Sequence, residues 1–485
     1  MCAGPPGPPD TDGTAGARPH AEPRPAGTPR TVGTVWGLLV LNTLGSAGAK
    51  TIVPLPRSLI QMATMGALVT AFALALALNL RLRIRTSAYL FLLTLMLVLS
   101  VISSAHLESG FGALFRCFRL ALFVGTLWLL SRWWDGPLFV RHHIRTYFAV
   151  LASVAAGLVV SPGAAMPDLY GGRLVGALWP LTPPQIGQYA AVIIGLTVLL
   201  LLGRRTTGAS AATVIVPSLV LLALTHTRTA TVALLIGLVL AVGSLVLTSA
   251  AARRFFTWAV LSATVAAVGL SSLLQAWFLR GQSQENFSNL TGRAKVWDAL
   301  LAAPRTTTEQ LFGVGLGDKS FGGLPIDNSW LAVYNEQGLA GVTVVAAIII
   351  VLGGVALLRP PSLSRACAIF LISYCAIASY TEAGLGDASP YLLHLTVAAA
   401  LLAAPAAAAH GPTAGALTAG ALTSGALTSG ALTSGALTSG ALTSGAMPGA
   451  PVPGVTTPKV TVPGASAPGA ARRRTPPWAH GTEGT

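Results

Sequence analysis

Leu-Thr-Gly-Arg-Ala-Lys-Val-Trp (290–297), Leu-Phe-Gly-Val-Gly-Leu-Gly (311–317) and Asp-Asn-Ser-Trp-Leu-Ala-Val-Tyr-Asn-Glu-Gln-Gly-Leu-Ala-Gly (327–341) stand in the longest polar interval of the chain, residues 275–341. That interval holds Arg280, Arg293, Lys295, Arg305 and Lys319 beside Glu285, Asp298, Glu309, Asp318, Asp327 and Glu336. Almost everything outside it is apolar. A long polar loop among short ones is either functional or disordered. Helix-start signals, aromatics and regularly placed glycines mark this one as ordered and functional.

Working outward, the 485 residues are 53% hydrophobic and only 9% charged, against about 25% charged in a soluble domain. Repeated apolar runs of about 20 residues define helices that cross a bilayer. The fold class is therefore an all-α polytopic membrane protein. Apolar spans are expected near 32–49, 58–80, 86–105, 111–131, 146–161, 185–203, 209–225, 230–250, 255–274, 337–358, 365–381 and 388–407, about twelve transmembrane helices in a domain over 32–407. Residues 1–31, rich in Pro, Gly and Thr, form a disordered tail without the apolar core of a signal peptide. Residues 408–485 form a low-complexity tail with Gly-Ala-Leu-Thr-Ser repeats and a late Arg472-Arg473-Arg474 run.

The formal charge of +15 does not call for nucleic acid, because the positive residues fall in short loops between spans. Arg81, Arg83, Arg85, Arg132, Arg141, Arg145, Arg204, Arg205, Arg253, Arg254, Arg359 and Arg365 share one side when the connections alternate; Glu108, Asp168, Glu382 and Asp387 share the other. The positive-inside rule then puts both termini in the cytoplasm and 275–336 in one long extracytoplasmic loop. Cys2, Cys117, Cys367 and Cys375 have no metal-ligand spacing, so neither a metal site nor a disulfide framework is expected.

The candidate site residues collect on that extracytoplasmic side. Arg228, in Leu-Thr-His-Thr-Arg-Thr-Ala (224–230), is a cation at the membrane surface with His226 beside it; its alternatives are an anionic substrate or lipid headgroups. Arg293 and Trp297 lie one helical turn apart, behind cap candidates Asn289 and Thr291. Guanidinium suits phosphate oxygens, and indole suits a sugar face or a lipid interface, unless the pair only stiffens the loop. Asp327 and Asn328 precede a span, where a carboxylate either takes a hydroxyl proton, orients an arginine or caps a helix. Glu336 begins the next apolar run. Arg116 and Arg119 share one face inside the fourth run, at a cost of roughly 2.5–3.5 kcal/mol each in mid-bilayer; lipid phosphate or Glu108 is the expected partner. Arg173 lies in the loop before the sixth span. Gly313-Val-Gly-Leu-Gly317 lacks the strand and helix of a dinucleotide site, so a tight turn is expected and no nucleotide cofactor.

Taken together, Arg173-Leu-Val-Gly and the prolines after it, Thr227-Arg-Thr-Ala230, Thr291-Gly-Arg-Ala-Lys-Val-Trp297, Phe312-Gly-Val-Gly-Leu-Gly317 and Asp327-Asn-Ser-Trp-Leu…Glu336-Gln-Gly-Leu-Ala-Gly341 resemble the O-antigen ligase and O-antigen polymerase superfamily. The likeness runs over roughly 30–400 and its motifs over 170–341. It implies a membrane glycosyltransferase-type fold in a bacterial cell membrane and a role in surface polysaccharide biosynthesis. The donor would be a glycan on undecaprenyl diphosphate, and the acceptor a glycan or cell-surface hydroxyl, with no cofactor. By match, Arg228, Arg293 and Arg173 bind the diphosphate. Many ligases carry His-Asn where this chain has Asp327-Asn328, which makes Asp327 the candidate base, with Glu336 and His226 behind it. The family's Pro-Asn after Arg173 is replaced by Trp-Pro-Leu-Thr-Pro-Pro-Gln. The alternative class is a transporter or flippase of lipid-linked glycan, which would favour repeated halves and helices broken at mid-membrane.

Overall fold

The computed structural model describes residues 30–44, 51–54, 56–106, 110–246, 249–269, 293–317 and 319–403. The two expected tails, but for residues 30 and 31, lie outside these residues. So do 275–292 of the long loop with Asn289 and Thr291, and Glu108. Helices occupy Thr31–Thr43 (α1), Arg57–Leu78 (α2), Ala88–His106 (α3), Gly110–Leu130 (α4), Gly136–Val160 (α5), Pro183–Leu202 (α6), Gly208–Thr225 (α7), Arg228–Val246 (α8), Ala250–Gly269 (α9), Arg293–Ala302 (α10), Thr307–Phe312 (α11), Ser329–Leu358 (α12), Leu363–Ala378 (α13) and Pro390–Leu402 (α14). The one strand pair among the described residues is a two-residue ribbon, Ser320–Phe321 antiparallel to Leu324–Pro325.

A helix stands at each of the twelve expected apolar intervals. Among the described residues, α2 to α8 and α12 are the eight that are long and apolar enough to cross a bilayer. α1, α13 and α14 are apolar but only 13, 16 and 13 residues long. At about 1.5 Å per residue each falls short of a hydrocarbon core about 30 Å thick. α14 is buried along its whole length. Its all-round apolar surface belongs to a core helix sheathed by others rather than to a lipid-facing one.

The packing has the polarity of a membrane bundle. α8 turns Ala230, Ala233, Gly237 and Ala241 inward, while Leu235, Ile236, Val239 and Leu240 are exposed. Small residues allow close helix approach, and large apolar ones face the surroundings. Phe370 of α13 fills the space this leaves. Its ring lies where a β-carbon on Gly195 of α6 would have to go, and close against Gly237 of α8. One chain of polar contacts runs through the bundle. Gln188 Nε2 of α6 donates to His394 Nε2 of α14 (3.1 Å), which leaves His394 Nδ1 to donate to His143 Nε2 of α5 (2.8 Å).

Two boundaries differ from the sequence expectation. α5 begins at Gly136, ten residues before the apolar run, because Pro137 occupies its first turn and Phe139, Val140 and His143 already face the core. Arg141 and Arg145 are therefore helical, not loop residues. α12 begins at Ser329 rather than 337. Asn328 caps it, its Oδ1 accepting from the backbone N–H of Trp330 (2.9 Å) and Leu331 (3.1 Å). The helix is then broken at Gly338, which sits at φ +65°, ψ −164°.

That break is held by the glycine motif. The loop places Val314 N–H on Asn335 O (2.8 Å) and Gly315 N–H on Glu336 O (3.0 Å), so the carbonyls freed by the break are satisfied. The fit is backbone to backbone. A β-carbon on Gly313 would overlap the backbone of Glu336 and Gln337, and one on Gly338 would overlap that of Leu311 and Phe312. Gly338→Ala is expected to cost upwards of about 1–3 kcal/mol, from positive φ and overlap together. Gly353→Ala, in the same helix with open space around it, is expected to leave stability unchanged or slightly raised. Thermal unfolding of both purified variants in detergent checks this; equal melting points would refute it.

Candidate functional site

The predicted site residues fall into two groups, joined by a connection that the sequence motifs did not include. This is residues 379–389, between α13 and α14. Its backbone is fixed by Ser329, the first residue of α12. Ser329 Oγ donates to Glu382 O (2.6 Å) and accepts from Gly384 N–H (2.9 Å), and Ser329 N–H donates to Ser379 O (2.9 Å). Further along, Gln337 Nε2 donates to Gly386 O (2.8 Å) and to Ser100 Oγ of α3 (3.0 Å).

The first group gathers Arg173, Arg228, Arg293, Asp327 and Glu382. Arg228 is the first residue of α8, and Arg293 the first of α10. Arg173 is held by the turn between α7 and α8: its Nε donates to Thr225 O (2.8 Å) and its Nη2 to Thr227 Oγ1 (3.3 Å). Arg173 lies in the fields of Glu382, Arg293 and Arg228 together. Arg293 Nε donates to Asp327 Oδ2 at 3.0 Å, an ion pair about a third exposed. Glu382, in turn, is acted on by Arg293, Asp327 and Arg173. Arg228 and Arg293 thus act on Arg173, and Arg293, Asp327 and Arg173 act on Glu382.

Glu382 is the member that sequence motifs missed. It is half-buried. Among the described residues its carboxylate has no hydrogen bond or ion pair, only longer-range neighbours. Burial pushes the Glu382 carboxyl up to about 7; Arg293 opposes the shift, Asp327 adds to it and Arg173 again opposes it. The signal available in the sequence was an acid in a glycine-bearing connection between two apolar runs, Thr381-Glu-Ala-Gly-Leu-Gly386.

The second group gathers Arg116, Arg119, Lys319, Glu336 and Asp387. Lys319 Nζ pairs with Asp387 Oδ2 at 2.8 Å. Glu336 is buried and its Oε1 accepts from Gly317 N–H (3.1 Å). Arg116 Nη1 donates to the Gly317 carbonyl, and Arg119 Nη2 to Asn42 O (2.7 Å). Arg116 and Arg119 thus meet protein oxygens of the loop and of α1. Glu336 lies in the fields of Lys319, Asp387 and Arg116.

Three further residues have structural placements. Arg293 reaches Asp327, before α12, and Trp297 packs edge-on to Tyr380 of the connection at 5.5 Å and 75°. Trp297 is only 8% exposed, so it supports the loop rather than offering a sugar a stacking face. His226 occupies a left-handed turn (φ +49°) at the end of α7 and sets the exit that positions Thr227 and Arg228. Asn328 is the α12 cap. Among the described residues no group of His, Cys, Asp and Glu could hold a metal ion. A cavity of about 360 Å³, lined in part by Leu240, Ser244, Gly353 and Arg365, lies toward the other ends of α8 and α13 and includes no predicted site residue.

Ser329→Ala removes the anchor under Glu382 and leaves the buried Gly384 N–H without its acceptor, at an expected cost of about 1–3 kcal/mol. Hydrogen exchange should quicken across 380–387 in this variant and stay unchanged in α6. Unaltered protection across 380–387 would contradict the anchoring role.

No protein-family model matches the chain, and no curated protein matches it either.

Proposed function

We propose that the chain is an integral membrane glycan ligase or polymerase. In this reading it transfers a glycan from undecaprenyl diphosphate to an acceptor hydroxyl at the outer face of the cytoplasmic membrane. The observation that carries this reading is that Arg173, Arg228 and Arg293, from three separate elements, lie in one another's fields, with Asp327 and Glu382 the acids beside them among the described residues. Arg293 pairs with Asp327, and Arg173 is held by the neutral Thr225 carbonyl and Thr227 hydroxyl. A diphosphate is the ligand chemistry that such a set of guanidinium groups suits. In this account both termini are cytoplasmic and 275–336 lies outside. The lipid tail lies among apolar helices, and the sugar sits against the loop.

The chemistry follows from the charges. The acceptor oxygen forms a bond to the anomeric carbon as the bond from that carbon to the diphosphate oxygen breaks. The electron pair leaves with undecaprenyl diphosphate. Fixed guanidinium groups in a site of reduced dielectric stabilise the charge that grows on the departing oxygen. Arginine stays protonated, so these groups clamp rather than donate protons. A carboxylate takes the acceptor proton. Asp327 is committed to Arg293 and orients it, while Glu336 is buried in the second group against Gly317.

The bundle gives transport less support. The break at Gly338 lies near the loop end of α12, and residues 339–358 beyond it form a long apolar helix of their own. It is not a helix interrupted at mid-membrane.

Arg228→Ala and Arg293→Ala are each expected to lower transfer by about 100-fold or more. In cells this reads as loss of surface glycan with build-up of its lipid-linked precursor. Normal glycan from either variant, inserted at wild-type level, would refute the role of that arginine.

A further inference from the structure

Among the described residues four carboxylates stand in or beside the two charged groups, and three of them are occupied. Asp327 is paired with Arg293. Asp387 is paired with Lys319. Glu336 is 1% exposed and accepts from Gly317 N–H. Glu382 differs from all three. Its backbone is pinned through Ser329, its side chain is half-buried, and its carboxylate oxygens make no direct bond to a described residue.

We propose that Glu382 is the proton acceptor of the site, the group that takes the hydrogen of the acceptor hydroxyl as that oxygen attacks the anomeric carbon. This rests on the transferase reading given above. The geometry favours Glu382 over the acids singled out by the sequence motifs. A carboxylate already paired with a guanidinium is a weak base, because the pairing stabilises its charged form. A base must also have a free oxygen to present to a hydroxyl. Asp327 fails the first condition, and Glu336 is enclosed. Glu382 meets both, and it lies in the fields of Arg293 and Arg173. The proton passes from the hydroxyl to the Glu382 carboxylate, the new bond joins acceptor oxygen to carbon, and the bond pair of the old linkage goes to the diphosphate. No other reactant is needed.

The surroundings also make the step dependent on pH. The groups facing Glu382 are Arg293 at the start of α10, Asp327 before α12, Arg173 before α6, and the phenols Tyr374 of α13 and Tyr391 of α14. With its carboxyl raised to about 7, Glu382 is charged and able to accept a proton above that pH. It is neutral and unable below it. Transfer should therefore rise as pH increases through about 7.

The experiment uses the full chain in cells that make its glycan, with external pH varied between about 6 and 8, and purified chain in nanodiscs with undecaprenyl diphosphate as the binding probe. Glu382→Gln keeps size and polarity but cannot take a proton. It is expected to lower transfer by about 100-fold or more, to accumulate lipid-linked precursor and to bind undecaprenyl diphosphate as well as wild type. Glu382→Asp is expected to restore part of the transfer and keep the pH dependence. Wild-type transfer by Glu382→Gln would overturn the proposal. So would a Gln variant that loses undecaprenyl diphosphate binding, since Glu382 would then act by holding the arginines. A variant that fails to insert leaves the wild-type pH profile to decide, and a flat profile rejects the proposal. Unchanged undecaprenyl diphosphate binding by Arg228→Ala and Arg293→Ala would instead reject the transferase reading itself.

Discussion

Three guanidinium groups repel one another, and the end of an apolar bundle offers little water to screen them. They stay together because the chain supplies fixed opposite charge and fixed dipoles. Asp327 meets Arg293, the Thr225 carbonyl and the Thr227 hydroxyl meet Arg173, and Glu382 stands among the cluster without closing on any of them. These contacts offset part of the repulsion that would otherwise destabilise the helix ends carrying Arg228 and Arg293.

The scaffold under this arrangement is the broken helix α12. Its first part carries Asn328, Ser329, Glu336 and Gln337, and each of these binds a different neighbour: its own helix start, the 379–389 connection, the Gly317 turn, and α3. The break at Gly338 lets the Gly313–Gly317 loop close onto freed carbonyls. One helix end thus sets the positions of both charged groups. A continuous helix would have no free carbonyls there, and the loop would have no place to bind.

Much of this was legible in the sequence, for physical reasons. Long apolar runs are decisive because a bilayer leaves the backbone few other options, and helices are found at all twelve expected intervals. The sequence places Arg116, Arg119, Arg173, Arg228 and Arg293 together on one side, whereas the structure divides them, with Arg116 and Arg119 bound to Gly317 and Asn42 and apart from the other three. Other features could not be read this way. α5 extends ten residues into a polar stretch because Pro137 starts it there and Phe139, Val140 and His143 are buried among charged neighbours. The pairing of Lys319 with Asp387 joins residues distant in sequence, and no periodicity announces it. Glu382 looked like one more acid on one side of the membrane. Its importance comes from which neighbours it lacks, and only coordinates show that. Trp297 read as a sugar platform or a stiffening residue, and its burial against Tyr380 decides for support.

The central claim is that the arginine cluster recognises a lipid diphosphate. Native mass spectrometry of the purified chain with an equimolar mixture of undecaprenyl diphosphate, undecaprenyl monophosphate and undecaprenol tests it most directly. The account predicts retention of the diphosphate in clear preference to the other two, with the preference weakened by added inorganic pyrophosphate. Equal retention of all three lipids would contradict it, because the tail alone would then explain binding.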